Sequence, residues 1–203
     1  MTYSHEHNKL VHTGVIQTFN GGLFAPLDLS VKSIKSIDYR AIARGCSNIC
    51  RFGGQVKEFY SVAQHQTIMA RIFRADRHLR LARWALLHDS AEGLGLCDMP
   101  RPIKYMEEMR GYRLMESATQ KKIFRRFGLY GNIPKVVKKL DYSIVFSEAT
   151  VLLESFAHPE WLAYAQQWEK DKIPLIPIKP YSTPLMAERE FLKEFKLLFP
   201  RYV

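Results

Sequence analysis

Cysteine, acid and long apolar runs are all scarce in this sequence. Three cysteines (Cys46, Cys50 and Cys97) among 203 residues cannot pair fully. None has the paired spacing of a zinc site, so a disulfide framework and a zinc ribbon are not expected. Small buried or half-buried thiols in a reducing compartment are expected instead. No stretch approaches the roughly 18–20 apolar residues of a membrane span. Residues 1–14 carry no apolar run behind a basic start, so no secretory signal is expected and the cytoplasm is the expected location. There is no internal repeat and no alternating strand pattern of useful length, which leaves a mostly α chain.

What is present suits one globular domain: 47% hydrophobic and 25% charged residues can fill a single core. Thirty Lys and Arg against 20 Asp and Glu give a net charge of +10. Residues 101–140 hold eleven of the basic residues and three acids (Glu107, Glu108, Glu116), an excess of eight positive charges. Such a field attracts phosphate on a nucleotide, a nucleic acid or a membrane surface, or else it is a solvated face with no ligand.

His5, His7 and His12 lie in a polar N-terminal stretch, which is either a metal site or a frayed end. Periodicity predicts helices over 34–50, from Ser61 as N-cap, over 79–92, 112–127 and 134–156, and over 187–199. Gly53-Gly54 forces a loop. Pro100 and Pro102 predict a rigid loop, and the four prolines of 173–184 an extended segment. The last helix is expected to dock through Phe191, Phe195 and Leu198. Phe19, Phe24 and Trp161 are either core or interface.

Chemistry enters where polar groups fall on apolar faces. His65 shares a face with Met69, Ile72 and Phe73; His88 and Glu92 share one with Leu81, Trp84 and Ala85; Asp141 and Glu148 share one with Val137 and Ile144. A buried ionised carboxylate costs several kcal/mol unless it is paired or binds a metal. Two imidazoles and two carboxylates (His65, His88, Asp89, Asp141) suit a divalent transition metal such as Zn, Mn, Co or Fe. Taken singly, an inward His is a hydrogen-bonded core residue and an inward Asp a cap. The set in this order is the signal.

That order, His65, then His88-Asp89, then Asp141, resembles the signature of HD-domain metal-dependent phosphohydrolases. The phrases at 50–54 (CRFGG), 59–65 (FYSVAQH), 86–92 (LLHDSAE), 98–104 (DMPRPIK) and 127–129 (FGL) are similar to those of the YfbR-like 5′-deoxynucleotidases and of phage dATP triphosphohydrolases, the latter from phages that use 2-aminoadenine. The likeness covers about residues 14–156. It implies an all-α HD-domain helical bundle over 1–160, with a mostly irregular N-terminal segment. Residues 161–203, a Pro-rich segment and C-terminal helix, would pack on the same domain.

The resemblance also implies roles. His65, His88, Asp89 and Asp141 would hold one divalent transition metal, with further Mg or Mn on the substrate phosphates. Glu92 matches the family's acid/base glutamate, and Asp98 an aspartate that assists at the scissile bond. Glu92 to Asp98 is six positions where five are expected, a one-residue insertion that touches Asp98 more than Glu92. Arg51 would hold phosphate or ribose, and Phe52 either stacks on base or sugar or is core. Lys104 and Lys138 would bind outer phosphates. The implied activity is hydrolysis of dATP to deoxyadenosine and triphosphate, with the basic 101–140 segment favouring the triphosphate. The alternatives are a 5′-deoxynucleotidase acting on deoxynucleoside monophosphates and a nucleic-acid-binding protein using that segment. A homo-oligomer, dimer or larger ring, in the cytoplasm (a host's, if the gene is phage-encoded) completes the expectation.

Overall fold

A computed structural model describes residues 14–171, 174–181 and 183–203. His5, His7 and His12 lie outside them. The described chain is an all-α bundle, with one two-stranded hairpin of β1 (Ile16–Gln17) and β2 (Leu23–Phe24) that pairs Ile16 with Phe24.

The stretch read as one helix over 34–50 divides into α1 (Val31–Lys35) and α2 (Tyr39–Asn48). The reason is Asp38: its carboxylate accepts the backbone N–H of Arg40 and caps α2, so the chain restarts there. Cys50 lies past the end of α2, in a bridge to Ser61. Ser61 caps α3 (Val62–Ala75), as expected, by accepting the N–H of Gln64.

α4 runs Leu79–Leu87 and stops five residues short of the expected end; Glu92–Leu94 is a separate 3-10 turn. The prolines after it begin an element rather than forbid one. Pro100 precedes α5 (Arg101–Lys104) and Pro102 sits in its first turn, where a missing N–H costs nothing. α6 (Arg110–Arg126) and α7 (Lys135–Leu152) follow.

From Pro159 onward a further difference appears. α8 (Pro159–Asp171) occupies ground to which the sequence pattern assigned no element, opened by a proline at its first position. The residues 174–181 are without regular structure, as their prolines require, and α9 (Pro184–Leu198) closes the chain. The core forms where α3 lies along α4 and α9 packs across α2, α3 and α4. Phe191, Phe195 and Leu198 are buried there, with the Phe195 ring stacked on Tyr39 at 4.5 Å. Phe24 is buried core, while Phe19 is 57% exposed. The extended 174–181 segment is strapped to the helices beneath it: Gln64 on α3 exchanges two hydrogen bonds with the backbone of Lys179 and Tyr181, and Ser147 on α7 accepts the N–H of Ile176.

Candidate metal centre and its clefts

Three helices deliver one cluster. α3 supplies His65 from its first turn, the end of α4 supplies His88 and then Asp89, and α7 supplies Asp141. One ligand atom from each lies within 4.8 Å of the others. His65 Nε2 is 3.2 Å from His88 Nε2 and 3.2 Å from Asp141 Oδ1, and His88 Nε2 is 3.0 Å from Asp89 Oδ2. Ligand bonds of about 2.0–2.2 Å put neighbouring donor atoms roughly 3–3.5 Å apart around one ion. The two imidazoles are buried, while the aspartate side chains keep about a quarter of their surface (27% and 26%) toward a cleft.

The outer nitrogens test whether a cation fits. His88 Nδ1 lies 2.8 Å from the carbonyl of Ala85, an acceptor only, so Nδ1 carries the proton. His65 Nδ1 lies 2.6 Å from Glu148 Oε1, which also accepts from Tyr60 Oη at 2.8 Å, while Glu148 Oε2 takes Arg51 Nε at 3.2 Å and Nη2 at 3.1 Å. Glu148 is therefore the ionised acceptor of this node and His65 the donor. With neither Nε2 protonated, two lone pairs and the aspartate oxygens crowd a gap of 3.2 Å, and a cation between them relieves the repulsion. A divalent metal does so with both imidazoles in the tautomer that metal ligation uses.

The cluster also holds protons tightly. Burial works against charge on His88 and His65, yet the facing carboxylates Asp89, Asp141 and Glu148 outweigh it and lift both imidazoles above their ordinary range. Burial likewise opposes ionisation of Asp141, and the two histidines overcome it and hold this carboxyl well below its usual range. A metal bound by these side chains would have to displace those protons.

Glu92 sits one step away, 3% exposed, with Oε2 free of any hydrogen-bond partner. Burial first, then the charges of Asp89 and Asp98, push its carboxyl well above the usual range. Its position is set by backbone packing. A Cβ on Gly45 would stand 1.8 Å from the Gly93 carbonyl oxygen, and one on Gly93 would meet Cys46 Sγ at 2.5 Å. Two glycines thus let α2 and the Glu92–Leu94 turn touch backbone to backbone.

The cluster opens onto a cleft of about 540 Å³ whose lining includes Arg51, Phe52, Glu92, Asp98, Lys104 and Trp161. Asp98 rises above its ordinary range through burial, against the pull of Arg51. Phe52 holds a left-handed backbone (φ 57) and turns its ring to within 6.1 Å of Trp161. Such a conformation costs about 1–3 kcal/mol in a non-glycine residue and collects at functional sites. Lys104 Nζ is bonded to Glu116 at 2.5 Å. Lys138 is exposed and lies elsewhere, on a smaller cleft of about 360 Å³ that it lines with Lys104 and Lys121. The two clefts share Asp89, Glu92, Lys104 and Tyr105.

The sequence placed Glu148 on the apolar face of α7 without assigning it to the site; its spacing of seven from Asp141 was the available signal. Tyr60, Trp161 and Tyr164 left no such mark. Trp161, undecided from sequence, is a cleft wall.

Fold and site together define an all-α protein in which two buried histidines and two half-buried aspartates, a group that could hold a metal ion, adjoin a cleft. No family model matches the chain. It is 33% identical over 134 residues, 66% of its length and 69% of the relative's, to the "Uncharacterized protein YfdR" of Escherichia coli (strain K12), and it belongs to the YfdR family. Among the described residues, no helix is long and apolar enough to cross a membrane.

Proposed function

We propose that the protein is an HD-domain, metal-dependent phosphohydrolase that cleaves a deoxynucleotide at its α-phosphate, with dATP the first choice and deoxyadenosine plus triphosphate the products. One observation carries this reading: the cluster lies where a nucleoside-sized, partly aromatic cleft meets a smaller cleft lined by Lys104, Lys121 and Lys138. A nucleoside suits the first by volume and stacking surface. Outer phosphates suit the second by charge. Adenine rests on the family likeness, as do self-association and residence in the cytoplasm, a host's if the gene is phage-borne.

His65, His88, Asp89 and Asp141 would hold the divalent metal, whose chemistry is to polarise a phosphate oxygen and acidify water. Arg51 is clamped on one edge by Glu148, which leaves Nη1 facing the cleft, 3.8 Å from Asp89. A fixed guanidinium of this kind positions an oxyanion. Water adds to the α-phosphorus, the bond from phosphorus to the 5′-oxygen breaks, and that oxygen takes a proton. Glu92, whose carboxyl is raised above its usual range by burial and neighbouring carboxylates, is the group placed to hand it over and to take up the proton that the attacking water releases. Asp98, across the same cleft, orients the water or the leaving oxygen. A monophosphate substrate is the second reading, favoured by the Lys104–Glu116 pair, which neutralises one of the three lysines.

Product analysis tests this. With Mn or Co present, dATP should yield deoxyadenosine and triphosphate. Inorganic phosphate from deoxynucleoside monophosphates, with triphosphates untouched, would select the second reading. No hydrolysis of any nucleotide would overturn both.

A further inference from the structure

The early end of α4 has a cause on another helix. In a continuous helix the N–H of Ala91 would donate to the carbonyl of Leu87. Here the carboxamide of Gln120, a buried side chain of α6, stands between them. Its Nε2 donates to Leu87 O at 2.5 Å and its Oε1 accepts the N–H of Ala91 at 2.9 Å. The backbone on either side tightens to three-residue spacing: Ser90 N–H to Leu87 O at 3.2 Å, Glu92 N–H to Asp89 O at 3.1 Å, Leu94 N–H to Ala91 O at 3.1 Å. The four residues spanned by this amide, 88–91, include both metal-ligand candidates of the turn, and Glu92 follows directly.

We infer that Gln120 is a positioning residue of the metal centre: its side-chain amide replaces one rung of the α4 ladder and holds the His88–Asp89 turn in the shape that brings both side chains onto one cation. Adjacent residues of a regular helix diverge by about 100°; here His88 Nε2 and Asp89 Oδ2 meet at 3.0 Å. The hydrogen bonds of Gln120 go to the backbone of Leu87 and Ala91, so it acts through the backbone that carries the ligands. Loss of the amide lets Ala91 and Leu87 pair with each other, which extends the helix and withdraws the aspartate. The fold keeps its hydrogen bonds; the metal loses its geometry.

The inference rests on the metal reading above, and the test separates the two. Wild type, Gln120→Met and Gln120→Glu are prepared metal-free and titrated with Co2+, reading its visible d–d absorption, and each metal-free protein is melted. Methionine fills the volume without either hydrogen bond. Glutamate keeps the acceptor for Ala91, loses the donor for Leu87, and serves as the second variant where Met does not give folded protein. Co2+ affinity is expected to fall about 10–100-fold with changed d–d bands, while the metal-free melting midpoint stays within about 3 °C of wild type, the shift of roughly 1 kcal/mol. A dissociation constant within about twofold of wild type, or a loss that appears only together with a fallen metal-free midpoint, overturns the inference. Wild type without d–d bands overturns the metal reading, and this inference with it.

Discussion

Glu92 and Glu148 are both buried, and the fold treats them oppositely. Glu148 is met by Arg51, Tyr60 and His65 on all sides, so its carboxyl is held below the ordinary range although burial opposes this. Its contribution to stability is present at neutral pH and is lost as pH falls through its folded value. Glu92 has an unpaired oxygen and two acidic neighbours, so its carboxyl is raised. A raised carboxyl contributes stability below its unfolded value and loses it as pH rises through the folded one. The metal-free Glu92→Gln variant should therefore melt higher than wild type at pH 8, by several degrees, with the gap closing by pH 4. Its turnover should fall about 10²–10⁴-fold. Thermal melts at the two pH values, with rates beside them, check this; equal midpoints at pH 8 would contradict it.

At the scale of elements, the site is held by parts that carry no catalytic signature. The turn bearing His88, Asp89 and Glu92 is fixed by Gln120 from one side and by the Gly45–Gly93 contact from the other. Local pattern fixed which faces are apolar, so His65, His88, Asp89 and Asp141 were legible as polar intrusions. The break after Leu87 was not, because its cause lies 33 positions away in Gln120. α8 was missed for a related reason: no element was read between His158-Pro159 and the proline-rich stretch of 173–184, although proline opens a helix well. That helix contributes Trp161 and Tyr164 to the cleft. Base stacking on an aromatic ring is worth about 1–3 kcal/mol. Trp161→Ala should accordingly raise KM roughly tenfold or more and leave kcat near wild type, because stacking acts on bound substrate and transition state alike. Steady-state kinetics decide it; a fall in kcat at unchanged KM would remove Trp161 from substrate binding.

For the molecule as a whole, part of the basic excess behind the +10 charge has its donors engaged in holding the fold. Of the basic residues in 101–140, Lys122 is buried against Ala25 and Ser33, Arg113 donates to the carbonyls of Lys104 and Met106, and Arg126 donates to Ile37. Donors that tie the N-terminal segment and loops to α6 are not free to contact the phosphates of a nucleic acid. What remains beside the cluster is local: Arg101 and Lys104 in the larger cleft, and Lys104, Lys121 and Lys138 in the smaller. The proposed activity requires the four-residue cluster to hold a metal. Elemental analysis of the purified chain after loading with a divalent metal and removal of the excess tests this most directly. One metal per chain in the wild type, and none in Asp89→Ala or Asp141→Ala, is the predicted result. Metal content unchanged in those variants, or none in the wild type, would contradict it.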